Sequence, residues 1–215
     1  MKRIVGIILL LLLVTGCTNK INIKDYDNIL DTFLSKKSEL VNNYAKGYKY
    51  YLPIGVRVLE SKDFNDKLSC SGYDYYLYVD IVSYYYKTSI DYNIDKSSFY
   101  SKIFNYNGID GYIEIKEFND LYKIVMYYNY AKIEGYASKE NLSNAIINMC
   151  YILNSIKVND SVVELMIGNE EFNSTEEVFD FYKPRKEGNF INYINQFDEY
   201  KEDVENENNI GNEGN

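Results

Sequence analysis

The chain of 215 residues has no histidine and no tryptophan, two prolines and three cysteines. Each shortage excludes something. Histidine is the commonest general base near neutral pH and the commonest metal ligand, and neither role can be filled by it here. Ser-His-Asp and Cys-His nucleophile devices cannot be assembled, and imidazole-containing zinc sites are excluded. No Walker loop, dinucleotide fingerprint, metalloprotease helix or CxxC pair occurs, so no cofactor is expected. Positive charge is scarce as well: 23 Lys and Arg face 32 Asp and Glu, a formal net charge of −9. A body so charged repels phosphate backbones, and no nucleic-acid partner is expected.

One long apolar run exists, Ile4 to Val14, preceded by Lys2 and Arg3 and broken only by Gly6. It has the length of a signal-peptide core and falls short of the roughly 20 residues a membrane span needs. Val14-Thr15-Gly16-Cys17 follows, then the polar Thr18-Asn19-Lys20. These residues resemble the signal peptide and lipobox of bacterial lipoproteins. The resemblance covers only the first 18 residues or so. It implies that a diacylglyceryl group is attached to Cys17 and that cleavage falls just before it. It also implies that the mature chain sits lipid-anchored on the cell membrane, facing away from the cytoplasm. More than one acyl chain is needed for stable anchoring, and such a group supplies it. Loss of Lys2 and Arg3 with the leader takes the formal charge from −9 to −11.

Tyrosine is abundant, with 25 residues. Ile, Asn, Lys and Tyr all use A/T-rich codons, which accounts for much of this. The other reading is a selected surface, because tyrosine offers a sugar or peptide an apolar ring and a polar tip. Cys70 and Cys150 remain after Cys17. They are either a disulfide, allowed in an exported protein, or two small buried residues.

The expected organisation is a signal peptide (1–16), a lipidated tether (17–24), an α+β globular domain (25–200) and an acidic, disordered tail (201–215). Apolar spacing predicts a helix over Asp25–Ala45, with Asp25 capping its start and Gly47 just past its end. Strands are expected over Tyr48–Leu59 (bent at Pro53 and Gly55), Tyr75–Tyr86, Phe99–Tyr106, Tyr112–Phe118 and Leu121–Glu134. Turns at Cys70–Asp74, Asn107–Gly111 and Asn119-Asp120 make an antiparallel meander. A helix from Ser138 to Ile156, a strand over Ser161–Ile167, a short helix after Ser174 and a weak one around Phe190–Phe197 complete the pattern. The fold class is therefore α+β: one antiparallel sheet packed by an N-terminal helix and C-terminal helices.

Strand alternation over Tyr75–Tyr86 puts Tyr76, Tyr78 and Asp80 on one face, and on Leu121–Glu134 Tyr128 and Tyr130 share a face. Together these residues form a candidate platform, rings stacking on a sugar or peptide while Asp80 accepts hydrogen bonds. The bland alternative is a half-buried sheet whose hydroxyls and carboxylate satisfy one another. Asp91-x-Asn93-x-Asp95 begins like a calcium loop, but Lys96 and Lys102 occupy the glycine and glutamate positions, so no metal is expected there. Glu170-Glu171 and Glu176-Glu177 read as favourable charge near a helix start. The expectation is a non-catalytic binding or interaction module at the envelope, its partner an envelope protein or glycan. The alternative is an envelope hydrolase working with carboxylates alone, for example on glycans.

Overall fold

A computed structural model describes residues 25–167 and Glu176. The leader with Cys17, the tether, both helices expected after Ser174 and the acidic tail lie outside the described residues. Ten strands and four helices follow one another within them. Helix α1 (Tyr26–Leu34) opens on Asp25, whose carboxylate accepts from the Asn28 amide. The expected helix to Ala45 is thus shortened. Ser35-Lys36-Lys37-Ser38 offers side-chain partners that compete with the helix, Ser38 Oγ taking the Leu40 amide. The Asn154 side-chain amide also donates to the carbonyls of Phe33 and Lys36. The chain then forms β1 (Asn43–Ala45), and Gly47, at φ +88°, turns it into β2 (Tyr48–Tyr50).

Strands β3 (Arg57–Lys62), β4 (Asn65–Cys70) and β5 (Tyr73–Val79) make one antiparallel meander. Strands β6 (Tyr100–Tyr106), β7 (Ile109–Phe118), β8 (Leu121–Tyr128) and β9 (Ala131–Ala137) make a second. Pairing of β5 with β9 joins them into a seven-stranded antiparallel sheet of order β3-β4-β5-β9-β8-β7-β6. The expected turns at Cys70–Asp74, Asn107–Gly111 and Asn119-Asp120 are all present. The run Leu121–Glu134 is two strands rather than one. Asn129 and Tyr130 fold it at φ +54° and +58°, where asparagine is tolerated and tyrosine is uncommon.

Two further expected strands give way to helix, the first only in its second half. The run Tyr75–Tyr86 leaves the sheet at Val79, and Asp80 caps α2 (Ile81–Tyr86) by accepting from the Ser83 amide at 2.9 Å and its hydroxyl at 2.7 Å. Likewise Asn159 starts α4 (Asp160–Ile167) by accepting from the Val162 and Val163 amides. The cap overrides the β-propensity of Val and Ile in that segment. The helix expected from Ser138 is α3 (Leu142–Ser155), and β10 (Lys157–Val158) follows it to complete a small sheet of order β1-β2-β10.

Helices α1 and α3 lie on the inner face of the large sheet. Leu30, Leu34, Ile146, Met149 and Leu153 meet Leu77, Ile113, Ile115, Ile124 and Met126 there, all fully buried or nearly so. The domain is α+β, as expected. Cys70 and Cys150 are both buried free thiols rather than a bridge. Among the described residues no helix is long and apolar enough to cross a membrane.

Candidate functional site: the tyrosine face of the sheet

The helices cover one face of the sheet and leave the other outward. Period-two alternation directs Tyr75, Leu77 and Val79 of β5 inward and Tyr76 and Tyr78 outward. On β8 the inward set is Tyr122, Ile124, Met126 and Tyr128, and the outward set includes Lys123, Val125 and Tyr127. The five residues expected to share a platform are therefore separated. Tyr76 and Tyr78 are on the outer side of β5, Tyr78 half-buried and Tyr76 only 7% exposed. Tyr128 is in the core, 1% exposed, its hydroxyl donating to the Tyr106 carbonyl. Asp80 is committed to the α2 cap, and Tyr130 sits in the β8–β9 turn with its ring edge-on to Tyr84.

In their place the sheet register builds a different row. Tyr78 lies opposite Lys132, Lys132 opposite Tyr127, Tyr127 opposite Tyr112, and Tyr112 opposite Ile103. Beside it run Tyr76, Glu134, Val125, Glu114 and Ser101. Tyr112 and Tyr127, half-buried, hold their rings nearly parallel, planes 3° apart with centroids at 6.0 Å. The signal for Tyr127 was in the sequence: Ile124 and Met126 mark the inward parity of β8, which leaves odd positions outward.

The loop between α2 and β6 reaches over one end of this row. Tyr92 lies flat on Tyr112, centroids 3.8 Å apart and planes within 1°. Its hydroxyl donates to Glu114 Oε2 at 2.8 Å and meets Ser101 Oγ at 2.9 Å. Asp95 ties the same loop down, accepting from the Ser97 amide and hydroxyl and pairing with Lys116. Those hydrogen bonds, Ser97 first, hold its carboxyl well below the usual carboxylate range. Asp95 is thus a loop clasp. Burial, and then the neighbouring Tyr92 and Glu114, push the Tyr112 hydroxyl up to about 12.

The charges on this face are largely paired: Lys116 with Glu114 at 3.0 Å, Lys123 with Glu134 at 3.4 Å, and Lys132 with Glu176. Glu114 and Glu134 both stand opposite Val125, two strand spacings apart, roughly 9–10 Å. With a lysine against each, they are poorly suited to share acid and base roles. Among the described residues no group of three or more His, Cys, Asp or Glu side chains is placed to hold a metal.

A second polar cluster, which the sequence did not suggest, is internal. Asp66 of β4 points inward and is fully buried. Its Oδ2 accepts from the hydroxyls of Tyr48 and Tyr50, each at 2.7 Å, while Oδ1 accepts no hydrogen bond. The two rings stack at 5.9 Å. Burial first, and the Asp66 charge second, push both hydroxyls far above the ordinary tyrosine value. The cluster ties the small sheet to the large one. The chain matches no protein-family model and no curated protein.

Proposed function

We propose that this chain is a lipid-anchored envelope protein whose domain is a non-catalytic binding module, with the outer tyrosine face as its ligand surface. The observation that carries the reading is the Tyr92–Tyr112 pair. A flat ring already lies on Tyr112 at van der Waals distance, with a carboxylate and a serine hydroxyl gripping its polar edge. A sugar ring or a peptide side chain needs the same combination of apolar face and rim acceptors. Tyr127 and Tyr78 extend the surface along the row, and the paired charges leave it nearly neutral. The anchor rests on the Lys2 to Cys17 pattern alone.

Removing the two parallel rings tests the surface. Tyr112→Ala with Tyr127→Ala should weaken binding to envelope glycan or peptide by about tenfold per ring, or ~1.4 kcal/mol each, with the circular dichroism spectrum unchanged. Equal binding by the double variant would remove the face from consideration, and turnover of a glycan by the wild-type chain would favour the hydrolase alternative. For the anchor, metabolic palmitate should label the wild-type chain and not Cys17→Ser.

A further inference from the structure

The point where the tether enters the domain, taken with the exposed aromatic residues around it, leads to an inference about how the domain sits on its membrane; it rests on the lipid anchor proposed above. Helix α1 starts at Tyr26, and its Tyr26 ring meets Phe99 and Tyr100 at the beginning of β6. Lys102 pairs with Asp27 at the same place. Strand register defines what else lies at this end of the sheet. Tyr100 is opposite Ile115, Ile115 opposite Ile124, and Ile124 opposite Gly135. Continuing along β7 and β8 from that row leads to Phe118 and Leu121, which close the hairpin around Asn119-Asp120. The β7–β8 hairpin tip and the tether entry thus share one end of the molecule.

Five phenylalanines fall among the described residues: Phe33, Phe64, Phe99, Phe104 and Phe118. Phe64 and Phe104 are buried and Phe33 is half-buried. The two exposed ones, Phe99 at 43% and Phe118 at 55%, are both at the tether end. They flank the hairpin from opposite faces. Phe99 packs on Tyr122 at 4.9 Å, and Phe118 packs on Tyr136 at 5.7 Å. Each therefore has a firm base and a free outer surface.

The length of the tether decides what covers them. The lipidated Cys17 lies only eight residue steps before Asp25. Even fully extended they reach at most about 26–29 Å, since a residue spans ~3.3–3.6 Å. An end held that close to the bilayer, presenting two phenylalanines, suits the apolar–polar boundary of the lipid headgroups. Net negative charge on the body opposes approach to anionic lipid, so the contact is apolar in origin. We infer that the Phe99/Phe118 end of the sheet inserts into the membrane interface, setting the domain upright with its tyrosine face to the side and α2 pointing away.

The absence of tryptophan makes this directly measurable. Phe118→Trp or Phe99→Trp introduces the chain's sole indole at the membrane end, and Tyr86→Trp introduces one on α2, 64% exposed at the far end. Each full-length, lipidated variant is reconstituted into phosphatidylcholine vesicles with brominated acyl chains. Indole emission in Phe118→Trp and Phe99→Trp should shift to the blue and fall at least twofold against unbrominated vesicles, with Tyr86→Trp unchanged. A protein that floats with the vesicles but is quenched no more at position 118 or 99 than at 86 overturns the docking and leaves the anchor intact. A chain that lacks acyl groups by mass and does not float overturns the anchor, and the docking with it.

Discussion

Burying the carboxylate of Asp66 costs several kcal/mol of lost hydration unless other donors replace the water. The hydroxyls of Tyr48 and Tyr50 are those donors, both on Oδ2. Because the acceptor is charged, each bond is a strong one, and Tyr48→Phe or Tyr50→Phe should each lower unfolding stability by about 1.5–3 kcal/mol. The double variant should lose more than the two singles together, since its carboxylate keeps no donor at all. Urea unfolding of the four-member cycle measures this, and strict additivity would mean that the two bonds act independently. Nothing in the sequence announced the cluster. An aspartate in a strand is ordinarily on the solvent side, and its partners lie 16 and 18 residues away on another sheet. Asp80 was misread for a related reason. Helix capping and outward display require the same short polar side chain, and only the departure of the chain from the sheet after Val79 separates them.

Elements were legible where pattern and local chemistry agree. The caps at Asp25 and the turn at Cys70–Asp74 combine a polar or glycine signal with a change of apolar period. So do the long apolar stripe of α3 and the hairpins at Asn107-Gly108 and Asn119-Asp120. Legibility failed at Asn129-Tyr130, where a tyrosine in the left-handed region hides a two-residue turn within a continuous β-rich run. It failed again at α4, where Val and Ile composition opposes the conformation that Asn159 initiates. The outer tyrosine face was half legible. Tyr76 and Tyr78 do share a side of β5, with Tyr76 buried there, and joining β8 and β9 into one strand hid the turn that takes Tyr130 out of the sheet. Two glycines opposite aromatic rings make a distinct prediction at this scale. Gly111 lies beneath Phe104 and Gly135 beneath Tyr75, each pair in register across neighbouring strands. A Cβ on Gly135 would stand 2.5 Å from Tyr75 Cδ1 and 2.9 Å from the Asp74 carbonyl oxygen; on Gly111 it would stand 2.3 Å from Phe104 Cε2 and 2.7 Å from the Tyr127 carbonyl oxygen. The backbone oxygens cannot swing away as a side chain could, so Gly135→Ala and Gly111→Ala should each cost roughly 1–3 kcal/mol in thermal or urea unfolding. Gly108→Ala meets nothing within 4 Å, but its φ of +78° strains any side chain, so that loss should be smaller and come from the backbone alone.

Across the whole molecule the tyrosines act together, because the fold holds so many of them away from water. Tyr48, Tyr50, Tyr75, Tyr100, Tyr106 and Tyr127 all have hydroxyls raised above the ordinary value, burial being the first cause in each. Tyr84 and Tyr112 are pushed up to about 12 for the same first reason. In the unfolded chain these groups would ionise near pH ~10. A group whose folded pKa lies above its unfolded one contributes stability that is complete below the unfolded value and disappears as pH climbs through the folded value. From pH 10 upward the unfolded chain releases protons that the folded chain retains, so every raised tyrosine pulls the equilibrium towards unfolding. The slope steepens as more of them take part. Absorbance of tyrosinate at 295 nm should therefore rise in two stages: a gradual one, then an abrupt one above pH ~11 that coincides with loss of β-sheet circular dichroism. Because the Asp66 charge adds to burial at Tyr48 and Tyr50, Asp66→Asn should make those two hydroxyls easier to ionise in the folded state. A single smooth titration centred near pH 10, with the sheet signal intact throughout, would mean that the fold does not hold these hydroxyls away from water.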